Sequence, residues 1–509
     1  MRDHASLGAA TPALQEDALM KALLIYPSIP DTFWSFKHIM KFIRKKAAHV
    51  PLGLLTVASM FPEDWDLRLV DTNVESVSDE LIQWADMVFI GAIIVQRESV
   101  RQIVARCRAL GKPIVGGGPL FTSCPEDFDD VDYLVLNEAE ITLPLFLRDL
   151  IAGNPRRAYT TEGKPDISLT PLPRWDLIDM KLYASMSVQY SRGCPYDCEF
   201  CDIVNLNGRR PRVKSNDQMI REFEILYDMG WRGNVFVVDD NFIGNQSKVK
   251  SFLRTLKAWQ EANDFPFTLY TEASVNLAHD EELMKLMTAA GFDSVFLGLE
   301  TPEEECLAEC GKHQNRSMDL VEAVKTIQRN GMEVMGGFII GFDNDPPDIF
   351  ERQIKFIQNS GVVKAMIGLL NAPPGTRLYR RLKEEGRLLE DCSGDNCDGS
   401  MNFVPKMDPQ LLREGYSAVL NYIYSPKEYY TRVSEFLRTY EPVRRRRMTL
   451  VGTTAFLNSI LYLGILDKWN NKIYYWKLLL KALVFYRRSL REAVTLMIFG
   501  YHFRKLFRE

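Results

Sequence analysis

The sequence predicts an α/β protein with three parts: a doubly wound parallel sheet, an open barrel of strand-helix units, and a mainly helical C-terminal region. Two series of short apolar runs, separated by helical stretches, predict the two sheets. After Pro374 this alternation stops and the pattern becomes helical. A chain of 509 residues has the length of about three domains.

The first sheet is expected within residues 21–150. The preceding residues 1–20 lack the basic region and apolar run of a signal peptide and are expected to be a frayed leader. A helix from Pro51 to Phe61 fits the first crossover, because proline is favoured in the first turn of a helix. Five apolar runs are expected to form parallel strands: KALLIYP, DLRLVD, DMVFIGA, KPIVGGG and DYLVLNE.

The barrel is expected within residues 183–375, after a linker over 151–182 that is rich in proline and has little periodicity. Six strand-helix units of this spacing predict an open (β/α)6 barrel, with its chemistry at the carboxyl ends of the strands. Helices are expected near 217–229, 246–263, 280–290 and 318–330. The six runs are SVQYSRG, NVFVVDD, FTLYTEA, SVFLGLE, EVMGGFIIGF and KAMIGLLN.

Residues 376–509 are expected to be mainly helical and to end in a basic, apolar tail. From residue 444 onward the sequence contains 14 Lys and Arg and three acidic residues, so the tail carries a charge of +11 in a chain of net charge −5. This composition suits contact with a membrane surface or an acidic partner. The alternative is that the tail helices fold back to close the barrel and their charges are solvated. The 18-residue run TLVGTTAFLNSILYLGIL is short for a spanning helix and predicts a packed or interfacial one.

Nine cysteines without regular disulfide spacing favour a reducing, cytoplasmic compartment. Cys194, Cys198 and Cys201 form a C-x3-C-x2-C loop, RGCPYDCEFCD, directly after the first strand of the second series. Three thiolates can hold three irons of a 4Fe-4S cluster and leave the fourth iron open. A zinc site would need a fourth ligand, and no further Cys or His lies nearby in sequence. The remaining alternative is three incidental buried cysteines.

This loop, with Phe200 immediately before its last cysteine, resembles the signature of the radical S-adenosylmethionine (SAM) superfamily. The resemblance implies that Cys194, Cys198 and Cys201 are catalytic residues that bind a 4Fe-4S cluster. It implies that SAM chelates the open iron and is split by one electron into a 5'-deoxyadenosyl radical. A one-electron reductant such as ferredoxin or flavodoxin is therefore an expected partner.

The resemblance also suggests which strand ends hold SAM. The candidates are Asp239, Asp240 and Asn241 after the second strand, Glu272 after the third, Glu300 after the fourth, and Gly337 and Gly341 in GGFIIGF of the fifth. VVDDN stands where the family often has Gly-Gly-Glu at the SAM amino group. The two glutamates equally suit structural pairing with Arg or Lys, and the glycines suit a buried, bulged strand.

The fourth run of the first sheet ends in VGGGPLFTS, so Gly116, Gly117, Gly118 and Pro119 lie where an open parallel sheet binds ligands. Glycines there would admit a large flat or phosphate-bearing ligand. Placed before a radical SAM barrel, this part resembles the Rossmann-like cobalamin-binding domain of class B radical SAM methyltransferases. The likeness extends across nearly the whole chain. It is greatest to the branch with the hopanoid C-2 methylase and the methyltransferase acting on glutamine of methyl-coenzyme M reductase.

Many cobalamin proteins bind cobalt through the His of Asp-x-His-x-x-Gly, and residues 21–150 lack that motif. His38 and His49 occur in other contexts, so cobalamin is expected to bind without a histidine below the cobalt. Val95 and Gln96 are candidates for contact with that lower face, and Glu138 for contact with the corrin edge. Ordinary loop packing explains these three residues equally well.

Together these features predict a cobalamin-dependent radical SAM methyltransferase that consumes two SAM molecules per turnover. Its expected substrate is an unactivated sp3 carbon of a protein side chain or a polycyclic lipid, and no nucleic-acid partner is expected. One alternative is a cobalamin-containing radical SAM enzyme that carries out oxidative cyclisation or rearrangement. A binding module without turnover is disfavoured by the intact cysteine loop.

Overall fold

The computed structural model describes residues 19–389, 392–444 and 449–507. The expected leader therefore falls, up to residue 18, outside the described residues. Contacts between Cα atoms divide the chain into two compact units. The first unit comprises residues up to 28, 53–165 and 170–177, and the second comprises 29–52, 166–169 and 178–509.

The first unit is built on a six-stranded parallel sheet in the order β2-β1-β3-β4-β5-β6. The five expected strands are all present, and the two-residue β6 is a sixth that lies inside the expected linker. It pairs with β5, so this stretch extends the sheet. The strands are β1 (Lys21–Tyr26), β2 (Asp66–Asp71), β3 (Met87–Gly91), β4 (Ile114–Gly117), β5 (Tyr133–Val135) and β6 (Ala158–Tyr159).

Helices cover this sheet because its strands are apolar on both faces. Between β1 and β2 the chain forms α1 (Lys37–Ile43), which belongs to the second unit, and then α2 at the expected crossover. The core consists of β-strand residues such as Leu23 and Ile90 packed against Val104 of α4. The helices are α2 (Leu52–Ala58), α3 (Asp79–Trp84), α4 (Arg97–Ala109), α5 (Pro119–Ser123) and α6 (Ala139–Ile151).

The second unit contains a six-stranded parallel sheet in the order β14-β13-β12-β11-β10-β7. A small antiparallel pair, β8 with β9, flanks the cysteine loop. The strands are β7 (Ser185–Val188), β8 (Ser191–Arg192), β9 (Arg212–Val213), β10 (Gly233–Val237), β11 (Phe267–Ala273), β12 (Phe292–Glu300), β13 (Glu333–Ile340) and β14 (Ala365–Leu369). The predicted fold class, with a half-barrel of six strands, is confirmed.

Side chains alternate between the two faces of this sheet. Phe267 of β11 packs against Trp259 in the layer of helices that covers one face of the sheet. Tyr270 lies on the opposite face and stacks on Phe236. The helices of this layer are α7 (Ile203–Asn207), α8 (Asn216–Asp228), α9 (Gln246–Ala262), α10 (Glu281–Ala290), α11 (Glu304–Glu309), α12 (Leu320–Arg329), α13 (Ile349–Ser360) and α14 (Arg377–Glu384).

The C-terminal region is helical, as expected. Its helices are α15 (Pro409–Ile423), α16 (Pro426–Thr439), α17 (Leu450–Ser459), α18 (Trp469–Phe485) and α19 (Leu490–Phe507), and a π-helical turn, Ile460–Ile465, continues α17. Buried residues along α19, including Met497 and Phe503, pack it into the unit. Within the described residues, no helix combines the length and apolar character needed to cross a bilayer.

Candidate functional site

The cysteine loop lies at the carboxyl edge of the half-barrel, where β7 and β8 lead into it. Cys198 is buried, and the other two thiols are half-buried. The Asn241 side chain donates to Cys194 Sγ over 3.8 Å, and the Gln314 side chain donates to Cys198 Sγ over 3.8 Å. These donors would stabilise thiolate sulfur, and burial raises the pKa of the Cys194 thiol. A bound metal therefore has to displace that proton.

Two carboxylates after β10 hold the backbone that leads into this loop. Asp239 accepts the Tyr190 backbone N–H at 2.8 Å and the Ser191 hydroxyl at 2.6 Å. Asp240 accepts the Gly193 backbone N–H at 2.7 Å. Burial raises the pKa of Asp239 to about 7. VVDDN thus anchors the cysteine loop, and any contact of these residues with SAM stays a prediction.

A guanidinium from the C-terminal region holds the cysteine loop from its other side. Arg381 of α14 contacts both carboxylate oxygens of Glu199, which lies between Cys198 and Cys201, at 2.8 and 3.2 Å. The same guanidinium binds Asp343, beyond β13, at 3.1 Å. Burial alone would raise the pKa of Asp343, but its bonds to Arg387 and Arg381 lower it to about 2. The network therefore stays ionised at neutral pH.

Replacing Arg381 with Met is expected to leave cluster assembly intact but to release iron to a chelator about tenfold faster. A bidentate, charge-assisted pair contributes about 1.5–3 kcal/mol, and its loss frees the loop. Arg381→Lys should release iron more slowly than Arg381→Met, since Lys supplies a positive charge but not the bidentate geometry of the guanidinium. The matched control is Arg329→Met, which removes an exposed pair with Glu322 on α12. Equal iron release in the two Met variants would contradict the positioning role.

Glu300 at the end of β12 is buried and forms an ion pair with Lys312, N to O 2.6 Å. Burial alone would lower the pKa of Lys312, but Glu300 and the thiolates of Cys198 and Cys201 raise it. A Cβ atom at Gly298 would overlap both charged groups. Glu300 itself has a positive φ of 63°, which is strained for this residue. Neither Lys312 nor Gly298 was predicted as a site residue, because both act only through the folded arrangement.

Glu272 at the end of β11 differs from Glu300. Among residues 19–389, 392–444 and 449–507, no side chain forms a hydrogen bond or ion pair with its carboxyl. Desolvation and the nearby carboxylates of Asp240 and Asp239 raise its pKa to about 8. An unpaired, half-buried carboxyl at a strand end is a ready acceptor for a ligand amino group.

Replacing Glu272 with Ala is expected to weaken SAM binding several-fold, since a hydrogen bond between neutral groups contributes about 0.5–1.5 kcal/mol. The change removes no side-chain hydrogen bond or ion pair among the described residues, so the fold should keep its stability. Binding is measured by equilibrium dialysis with labelled SAM, and Glu224→Ala on the exposed face of α8 is the control. SAM affinity equal in both variants would rule out this contact.

The remaining SAM candidates serve internal packing. A Cβ atom at Gly337 would lie 2.8 Å from the Phe296 ring. Gly341 has φ 108° and donates its N–H to Asp345 at 2.6 Å. Phe200 packs on a cluster that includes Phe342. A role of these three residues beside SAM stays a prediction.

The glycine run of the first unit is explained by close packing. A Cβ atom at Gly116 would lie 2.7 Å from the Phe121 ring, and one at Gly117 would lie 3.2 Å from the Val135 carbonyl oxygen. Gly118 has φ 91° and would meet the Ala92 carbonyl oxygen at 3.0 Å. Pro119 is the first residue of α5. Gly117 is half-exposed at the carboxyl end of β4, and contact of this glycine run with a ligand stays a prediction.

The other cobalamin candidates of the first unit have protein partners. Both amide atoms of Gln96 are engaged, the oxygen by the Ile93 backbone N–H at 2.9 Å and the nitrogen by the Pro27 carbonyl. Glu138 lies 4.0 Å from the Lys164 ammonium, and Val95 is half-buried in the turn before α4. The described residues of this unit contain no histidine, since His38 and His49 belong to the second unit.

The three cysteines suit a cluster better than a single ion. Within the described ranges, no three His, Cys, Asp or Glu side chains converge as on one metal ion. A cubane cluster has no such requirement, because each thiolate binds a different iron. The second unit therefore fits a 4Fe-4S cluster with SAM. The first unit has the open parallel sheet that the expected cobalamin would bind at its carboxyl edge, and its binding without a histidine ligand stays a prediction.

Three sequence families match this chain. Residues 43–147 match the B12 binding domain, residues 188–357 match the radical SAM superfamily, and residues 376–509 match a domain of unknown function, DUF4070. The B12 binding match spans β2 to β5 of the first sheet, and the radical SAM match spans β10 to β13 of the second.

The chain is 44% identical to an uncharacterized methyltransferase of Synechocystis, over 81% of this chain and 78% of that one. It is 32% identical to the hopanoid C-2 methylase of Rhodopseudomonas palustris, over 95% of this chain and 92% of that one. In fold it is similar to TsrM, a radical SAM methyltransferase from Kitasatospora setae solved with cobalamin and a 4Fe-4S cluster. That match has a TM-score of 0.63 at 15% identity and covers 95% of this chain and 99% of that one. This protein belongs to the cobalamin-dependent radical SAM methyltransferases.

Proposed function

We propose that this enzyme methylates an unactivated sp3 carbon of a polycyclic lipid. The observation that carries the proposal is the similarity to the hopanoid C-2 methylase, which covers both parallel sheets and the helical C-terminal region. A protein side chain is the other substrate predicted from the sequence. The full-length similarity favours the lipid.

Aromatic side chains on the face of the half-barrel sheet opposite Trp259 support an apolar, ring-shaped substrate. Phe236 and Tyr270 stack at 4.7 Å between centroids. The Trp34 ring meets Phe296 edge-on at 5.1 Å, and its indole N–H donates to the Met366 sulfur at 3.0 Å. Flat rings offer a large contact area to a rigid apolar skeleton at low conformational cost.

The residues of the second unit have distinct tasks in this reaction. When bound, the cluster with SAM supplies hydrogen abstraction and cobalamin supplies the methyl group. Cys194, Cys198 and Cys201 hold the cluster, while Arg381 and Asp239 fix the loop that carries them. Glu272 accepts from the SAM amino group. The Lys312–Glu300 pair keeps a positive charge beside the thiolates.

The reaction needs a reductant and a substrate. The reductant is proposed to be a one-electron carrier protein such as ferredoxin or flavodoxin, because SAM cleavage takes one electron. The proposed location is the cytoplasm, which the free thiols favour.

The experiment incubates the reconstituted full chain, a reductant and methyl-labelled SAM with separated lipid and protein fractions of the source cell. The proposal expects label in a lipid that gains one methyl group, together with S-adenosylhomocysteine and 5'-deoxyadenosine. The control is the chain with Cys194, Cys198 and Cys201 replaced by Ala. Label confined to protein would contradict the lipid substrate.

A further inference from the structure

The outer face of the C-terminal hairpin is apolar and uncovered. Among the described residues, 13 of the 23 exposed large hydrophobic side chains fall between positions 450 and 485. From Trp469 to Leu483 on α18 they recur every three or four residues, which places these five on one face of the helix. We call them the outer face: Leu450, Val451, Leu457, Leu461, Ile465, Leu466, Trp469, Ile473, Trp476, Leu480, Leu483, Val484 and Phe485.

The opposite face of α18 is already packed. Tyr475, Leu478 and Leu479 are buried, and the Tyr475 hydroxyl lies 3.0 Å from the Ser459 hydroxyl. The Trp476 indole donates to the Gly464 carbonyl at 3.1 Å, which ties the π-helical turn to α18. The outer face therefore belongs to a fixed hairpin. Single exposed apolar residues are normal on a protein surface, but a concentration of them such as this one indicates a binding surface.

The charges around this face are positive. Lys477, Lys481, Arg488 and Arg491 are exposed, and no ion pair neutralises them within the part of the chain that the structure describes. Asp467, the one acidic residue between positions 450 and 485, forms an ion pair with Arg504 at 3.2 Å. Not every basic residue of the tail is available to contact an anionic partner, since Arg444 donates to the Ala289 carbonyl at 2.6 Å. Arg445 to Arg447 lie outside the described residues.

We infer that the outer face of this hairpin lies on the surface of an anionic lipid bilayer. Exposed tryptophans, a row of aliphatic side chains and unneutralised basic residues form the combination that binds helices in the plane of the interface. No described helix spans a bilayer, which fits a surface contact. This inference is independent of the substrate proposed above, because it concerns the hairpin and not the half-barrel.

The test is sedimentation of the reconstituted full chain with vesicles of phosphatidylcholine, with or without about 30 mol% phosphatidylglycerol. The chain should sediment with the anionic vesicles, and salt should weaken this binding. Trp469→Ser, Leu480→Ser and Phe485→Ser together, at side chains 73%, 59% and 74% exposed, should lower the partition coefficient at least tenfold. Lys477→Ala with Lys481→Ala should lower it about tenfold on anionic vesicles only.

The control triple is Met229→Ser, Val404→Ser and Leu411→Ser, which removes exposed apolar side chains outside the hairpin. It should sediment like the parent chain. Three results would overturn the inference: no sedimentation with anionic vesicles at low salt, equal binding by both triples, or a lipid-independent dimer that only the hairpin triple dissociates. The last result would assign the face to a second copy of the chain.

Discussion

Replacing Cys194, Cys198 and Cys201 with Ala is expected to reduce 5'-deoxyadenosine formation to the background of the assay. Each thiolate would hold a separate iron, and thiolate is the ligand that such clusters use. The half-barrel should still fold, since Asp239 and Arg381 act on the loop backbone and on Glu199 and not on the sulfurs. Iron content and product are measured after anaerobic reconstitution.

The matched control replaces three other thiols, Cys107, Cys124 and Cys392, with Ala. These are buried elsewhere in the structure, so the control removes the same number of thiols and leaves the loop intact. It should keep the cluster and SAM cleavage. A full cluster in the Cys194, Cys198 and Cys201 variant would disprove the assignment.

A bulky side chain at Gly117 is expected to abolish cobalamin binding. The position is half-exposed at the carboxyl end of β4, and a Cβ atom there meets only the Val135 carbonyl oxygen at 3.2 Å. Gly117→Phe therefore places a ring at the carboxyl edge of the sheet, where open parallel sheets bind their ligands. Cobalamin is measured by its absorbance after reconstitution and desalting, and thermal unfolding checks the fold.

The control is Ile151→Phe, which adds bulk to an exposed residue at the end of α6, toward the amino ends of the strands. It should bind cobalamin like the parent. Electron paramagnetic resonance of the cob(II)alamin form is expected to show no splitting from a histidine nitrogen, because residues 21–150 lack the Asp-x-His-x-x-Gly motif. Normal binding in Gly117→Phe would show that the ligand lies elsewhere.

Local patterns predicted most of the fold. All eleven expected strands are present, because buried parallel strands are continuous apolar runs that the flanking turns delimit. The cysteine loop was predicted for a similar reason, since its ligands are close in sequence. β6 was missed because a two-residue edge strand leaves no periodic pattern, and its pairing depends on β5.

Long-range contacts could not be predicted in this way. Lys312 and Arg381 reach the cysteine loop from 111 and 180 positions beyond Cys201, and nothing in their local sequence marks them. Asp239 was expected at SAM, but its bonds to Tyr190 and Ser191 arise only when β7 and β10 pair. The two glutamates look alike in sequence, and only the fold gives Glu300 a partner.

The basic, apolar tail from residue 444 onward shows what composition alone cannot predict. In the structure α19 is packed into the unit, whereas α17 and α18 expose the outer face. Contact of the tail with a membrane or a partner stays a prediction. All three helices are rich in apolar residues around their circumference. Periodicity therefore could not predict which face would be covered.

The central claim is that this enzyme transfers a methyl group and does not merely rearrange its substrate. The direct measurement is mass spectrometry of the product and co-products after turnover with SAM that carries a trideuterated methyl group. The claim predicts a product with a deuterated methyl group, and S-adenosylhomocysteine and 5'-deoxyadenosine in equal amounts. A product without deuterium, formed with 5'-deoxyadenosine but no S-adenosylhomocysteine, would contradict it.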